Sequence, residues 1–125
     1  MEVCFQMDKI NIAEKFTKFS DHWSPRVIAN INDYQVKLAK VENKFVWHDH
    51  PDTDELFLVI KGQLKIHFRD KTTVLNEGEM IVVPKGVEHC PESEKECHIL
   101  LLEPKGVVNT GDVDSTLKAD NDVWV

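Results

Sequence analysis

Between Arg26 and Pro104 the chain is built from short apolar runs, each cut off after a few residues by turn-forming pairs, and this limits it to a small set of folds. Val27, Ala29 and Ile31 alternate with Arg26, Ile28 and Asn30, so one strand face is apolar, although Ile28 breaks the alternation. Asn32-Asp33 offers a turn into Tyr34, Val36 and Leu38. Gly62-Gln63 precedes Leu64, Ile66 and Phe68. Asp70-Lys71 and Asn76-Glu77-Gly78 flank Val74-Leu75, and Pro84-Lys85-Gly86 ends Met80-Ile81-Val82-Val83, which reads as a buried strand. Cys97 to Leu102 supplies a closing strand. Short strands at this spacing predict an all-β barrel or double-sheet sandwich in one domain, with its core over 26–104.

The flanks read differently. Asn11 is placed to cap a short helix over 11–19, with Glu14 three positions on to complete a capping box. Its stripe of Ile12, Phe16 and Phe19 covers either one end of the barrel or a subunit contact. Residues 105–125 form a polar tail with a turn at Asn109-Thr110-Gly111-Asp112, ending on the apolar Val123-Trp124-Val125. The formal charge of −7 and the lack of any Lys/Arg run argue against nucleic acid and acidic membranes as partners. With no basic-then-apolar leader and no apolar stretch of membrane length, the chain is expected to be cytoplasmic, and its three cysteines, Cys4, Cys90 and Cys97, to be reduced thiols.

Chemistry concentrates in two segments. His48 and His50 are two apart and share a face on an extended strand. Glu55 follows after Pro51-Asp52-Thr53-Asp54, far enough for the chain to turn and bring a carboxylate back. His89 arrives from the second segment. Three imidazoles and one carboxylate suit Fe, Mn, Ni, Cu or Zn as a divalent ion and leave positions free if the ion is octahedral.

These residues resemble the two motifs of the cupin family. His48, His50, Glu55 and Gly62 fall on the first, and Gly78, Pro84, Gly86 and His89 on the second; Glu42 and Ser93 stand where the family has Gly and Asn. The resemblance implies a jelly-roll barrel, a double-stranded β-helix, as a small stand-alone domain with a short N-terminal helix, and a metal held by His48, His50, Glu55 and His89. It is shared by dioxygenases, decarboxylases, epimerases and sugar isomerases, so fold alone does not select a reaction. The first expectation is a metal-dependent, dioxygenase-like oxidoreductase acting on a small organic molecule. A non-enzymatic binding or sensor module and a sugar isomerase or epimerase are the alternatives.

The remaining candidates read mostly as scaffold. His22, His67 and His98 have no partner at ligand spacing, and His67 is expected on an exposed face. Cys90 follows His89, so its thiol points away from the metal. Phe57 shares parity with Glu55 and is a candidate pocket wall, whereas Trp47 has the parity for packing or a subunit contact. Asp49, Asp52 and Asp54 make an acidic loop at the site mouth. Lys37, Lys61 and Lys85 are too scattered, and Arg69 too remote, to hold a sugar phosphate. An exposed strand edge and the apolar terminus predict a homodimer.

Overall fold

In the computed structural model, residues 7–125 are described. Cys4 lies outside them, whereas Cys90 and Cys97 are buried free thiols. The elements are α1 (Ile12–Phe16), β1 (Arg26–Ile31), β2 (Tyr34–Lys44), β3 (Glu55–Lys61), β4 (Leu64–Phe68), β5 (Thr72–Leu75), β6 (Met80–Val83) and β7 (His89–Pro104). All strand pairings are antiparallel. The order β1-β2-β7-β3-β6 makes one layer, and β4 joins β5 and the first residues of β7 in the other. β7 is therefore longer than the strand expected from 97–102: its start pairs with β4 and its end lies between β2 and β3. One core, including Val41, Phe57, Val59, Leu64, Ile66, Leu75, Val83, Ile99 and Leu101, fills the barrel.

Several local expectations are corrected by packing. Ile28 spoils the alternation of β1 because the register slips between Val27 and Ala29, a bulge that leaves both Val27 and Ile28 buried, Ile28 beneath α1, and Ile31 exposed. In β2 the interior face is Gln35, Lys37, Ala39 and Val41, not Tyr34, Val36 and Leu38. Leu38 and Val36 instead join Ile28, Phe16 and Phe19 in a second cluster. Thus α1, shorter than the expected 11–19, covers the outer face of the sheet rather than a barrel end. Its cap is as expected, with Asn11 Oδ1 accepting from Glu14 N at 3.0 Å. β6 pairs only with β3 and is an edge strand, with Met80 and Val82 about half exposed rather than buried.

The tail is docked along the barrel. Val27 N donates to Val123 O at 2.7 Å and Val125 N to Val27 O at 3.2 Å, so the terminus runs beside β1. Asn109 ties the tail together, donating to the Trp23 and Leu117 carbonyls and accepting from Ala119 N, each at 2.9 Å. Gly111 packs against the Asp49 carbonyl, where a Cβ would come within 2.2 Å of the oxygen, so no other residue fits there. Gly62 in the β3–β4 turn has φ of +93° and lies against Cys97, so a side chain there would be strained and tightly packed. No helix of the described residues is long and apolar enough to cross a membrane.

Candidate metal centre

His48 and His50 do not lie on a regular strand. His48 makes an isolated antiparallel bridge to His89, exchanging hydrogen bonds of 3.0 and 2.9 Å, and a turn at Pro51-Asp52 follows. Proline has no N–H to continue a ladder, so pairing ends there. Gly86 N donates to His50 O at 3.0 Å, and Lys85 N donates to Asp54 Oδ1 at 2.9 Å. The loop carrying Asp49, Asp52 and Asp54 is thereby pinned to the Pro84-Lys85-Gly86 turn, which gives Asp54 a structural task. Glu55 opens β3 and His89 opens β7, so the four side chains meet inside one end of the barrel.

Their donor atoms all lie within 4.8 Å of one another, and all four residues are buried. His48 Nδ1 and His89 Nδ1 each lie 2.9 Å from a backbone carbonyl, of Val46 and Val87 respectively. A carbonyl only accepts, so these ring nitrogens carry the proton and the Nε2 lone pairs face inward. His50 Nε2 and His89 Nε2 are each 3.4 Å from Glu55 Oε1, and all three atoms are buried without a hydrogen-bond partner. Orphaned buried acceptors are costly, by about 1 to 3 kcal/mol each. Two ligands each about 2.1 Å from one ion stand roughly 3.0 to 3.4 Å apart, so the spacing fits a cation at the focus. This group could hold a metal ion.

Protonation follows the same logic. Burial, reinforced by the neighbouring His89, pulls His48 down to about 4, so its imidazole stays neutral at physiological pH. Burial pushes Glu55 upward, but the close imidazoles of His50 and His89, and then Glu103, prevail and hold it well below the usual carboxylate range. Glu103 is the reverse: burial and the adjacent Glu55 charge raise it well above its ordinary value, against the pull of Lys37.

A cavity of about 40 Å³ adjoins His48 and Glu55, walled by Trp23, Phe45, Phe57 and Leu101, with Glu103 and Asn109 as further polar lining. Phe57 is thus a wall, as expected, and its ring meets His89 edge-on. Lys37 is not at a mouth but buried on Glu103 at 2.8 Å. Trp47 packs beneath the Arg69 guanidinium, 3.9 Å from its ring centre. Cys90 Sγ faces Phe45 O at 3.7 Å, and burial raises its pKa, consistent with an inert thiol outside the ligand group. His67 is half-buried between Thr72 and Glu92 rather than exposed. His22 and His98 also have a partner after all: each puts Nε2 on an oxygen of Glu96, at 2.8 and 3.0 Å. Sequence reasoning missed Glu103, its pairing with Lys37 and the surface group around Glu96, because the fold joins residues distant along the chain.

The family's departures are accommodated locally. The bulge at Glu42 is followed by Asn43 at φ of 67°, so the left-handed turn falls one residue later than the motif's glycine. Ser93 Oγ donates to Gln63 O at 2.9 Å, linking β7 to the β3–β4 turn.

A double-layered antiparallel barrel with an inward His3Glu group defines the cupin class. Residues 34–103 match the family model for the cupin domain, and the chain belongs to that family. It is 39% identical over 95 residues to the uncharacterised protein YdbB of Bacillus subtilis (strain 168), covering 75% of this chain and 78% of YdbB. The crystal structure of a cupin-2 domain containing protein from Shewanella frigidimarina NCIMB 400 is similar with 58% identity and a TM-score of 0.76, over 77% of this chain and 94% of that one. Protein NMB1881 from Neisseria meningitidis is similar with 33% identity and a TM-score of 0.72, over 78% and 99% of the two chains.

Proposed function

We propose that this cupin binds one divalent transition metal ion through His48, His50, Glu55 and His89 and uses it to bind or transform a small organic molecule, as a metal-dependent oxidoreductase of the dioxygenase kind. The observation that carries the reading is the convergence of three orphaned buried polar atoms, His50 Nε2, Glu55 Oε1 and His89 Nε2, in one site. An ion with open positions, when bound, supplies Lewis-acid activation or, if redox-active, joint binding of O2 and substrate. The chain's own residues orient and exclude. Val46 and Val87 carbonyls fix the two ring tautomers, and Trp23, Phe45 and Phe57 keep the adjoining space apolar. Asn109 and Pro25 also line this cavity, whose volume of about 40 Å³ suits one or two waters or a small ligand group. Lys37, the cation nearest this space, is already neutralised by Glu103, which weighs against a phosphosugar.

Elemental analysis of untagged protein, followed by anaerobic iron loading and oxygen uptake over a metabolite panel, tests this. One equivalent of metal in wild type and its loss in the His48→Ala, His50→Ala double variant are expected. Equal metal content in the two proteins would sink the ligand assignment. Tight metal-dependent binding without turnover would favour a sensor or binding module. We also infer a homodimer, since β6 is an open edge and Trp124 remains 45% exposed; light scattering giving a 14.4 kDa monomer would refute it.

A further inference from the structure

We propose that Lys37 and Glu103 form a buried brace that positions Glu55 as a ligand, so that both are positioning residues of the metal centre; this rests on the metal reading above. Strand register sets it up. Gln35 of β2 pairs with Glu103 of β7, and Leu56 of β3 pairs with Leu102, which places Glu103 beside Glu55 one rung on. Lys37 lies on the same interior face of β2, and its Nζ donates to Glu103 Oε1 at 2.8 Å, with the two side chains only 3% and 2% exposed. The other oxygen, Oε2, has no conventional partner. The Glu103 carboxyl lies against the Glu55 carboxyl, and Glu103 shares the cavity wall with Glu55 and His48.

A buried ion pair is a poor device for stability, since well-packed apolar residues of similar volume often do as well or better. The next rung of the same interior face shows that alternative in place, with Leu101 beside Phe57. What the charged pair supplies is orientation. Lys37 holds one end of Glu103, Glu103 bounds the space in which the Glu55 carboxyl can turn, and Glu55 Oε1 is left equidistant, at 3.4 Å, from His50 Nε2 and His89 Nε2. A carboxylate free to rotate would lose that alignment, and partners behind a ligand typically tune affinity by one to two orders of magnitude.

The test is Zn(II) affinity by chelator competition and the visible spectrum of the Co(II)-loaded protein, for wild type, His50→Ala, Glu103→Gln, Glu103→Leu and the neutral pair Lys37→Met/Glu103→Leu. Glu103→Gln keeps a hydrogen-bonding group and should stay within about threefold of wild type, whereas Glu103→Leu and the neutral pair should bind roughly 10- to 100-fold more weakly with altered Co(II) bands. The neutral pair guards against misfolding, because it leaves no buried charge unpaired. A folded neutral pair with wild-type affinity and an unchanged Co(II) spectrum overturns the brace. A wild type that binds neither ion, or a His50→Ala variant that binds both normally, instead overturns the metal reading itself.

Discussion

Two clusters in this molecule are made of the same residue types and behave oppositely. In the barrel, His48, His50, His89 and Glu55 gather with their inward atoms unpaired. At the surface, His22 and His98 meet Glu96, with Glu42 close by, and each imidazole Nε2 already has its own carboxylate oxygen. The difference lies in where the ring protons go. Inside, backbone carbonyls of Val46 and Val87 take the Nδ1 protons, so lone pairs face lone pairs and only a cation reconciles them. Outside, donors face acceptors and the cluster is complete without an ion. Proximity of imidazole and carboxylate is therefore a weaker sign of a metal site than the direction of the unused lone pairs.

Ligand removal should have opposite consequences in the two places. His50→Ala should abolish the single equivalent, whereas His22→Ala and Glu96→Gln should leave metal content unchanged. At free metal 100 to 1,000 times Kd, the loaded protein should be about 3 to 4 kcal/mol more stable than the chelator-stripped one, a gap that His50→Ala closes in thermal melts.

Acid should separate the clusters next. For metal-free protein, His48 is held at about 4 against an ordinary value of 6.5. The unfolded chain takes up that proton first, so His48 disfavours the folded state progressively as pH falls from about 6.5 to about 4, by roughly 3 kcal/mol in all. His48→Gln should flatten this part of the stability profile. Glu96 is lowered to about 2 by hydrogen bonding to His22 and then His98. Its stabilisation is complete above about 4.5 and disappears as pH falls towards 2, a window below that of His48. Urea titrations across pH with both variants check the order, and coincident windows would contradict it.

Exclusion of water is the next lever. Asn109→Ala removes three hydrogen bonds that close the tail over the barrel, and should cost about 2 to 3 kcal/mol while speeding metal loss to a chelator. Unchanged release kinetics would show that the tail does not gate the centre. The smallest effect belongs to the surface cluster. Glu96→Gln at neutral pH should lower stability by no more than about 0.5 kcal/mol, because the pair is exposed and screened.

Much of this was legible along the chain. Turn pairs and period-two runs predicted the strands, Asn11 predicted its cap, and the spacing of His48, His50, Glu55 and His89 singled out the four residues that the barrel brings together. Where reading failed, the cause was non-local. On β2 the apolar-looking positions Val36 and Leu38 face α1, while Gln35 and Lys37 point inward, because their polar ends find Asp122 and Glu103 there. Met80 and Val82 look like core by composition, yet among the described residues no strand lies beyond β6 to cover them.

Residue order alone thus supplies the local alphabet: where strands start and stop, which side chains are available as ligands, and which glycines allow close approach. Only the tertiary structure decided which polar groups meet, that Lys37 finds Glu103 66 positions away, that Glu103 abuts Glu55, and that His22 and His98 share Glu96. The physical reason is that side-chain direction follows local backbone geometry, whereas partnership follows register between strands distant in sequence. That register is set by the packing of the whole core.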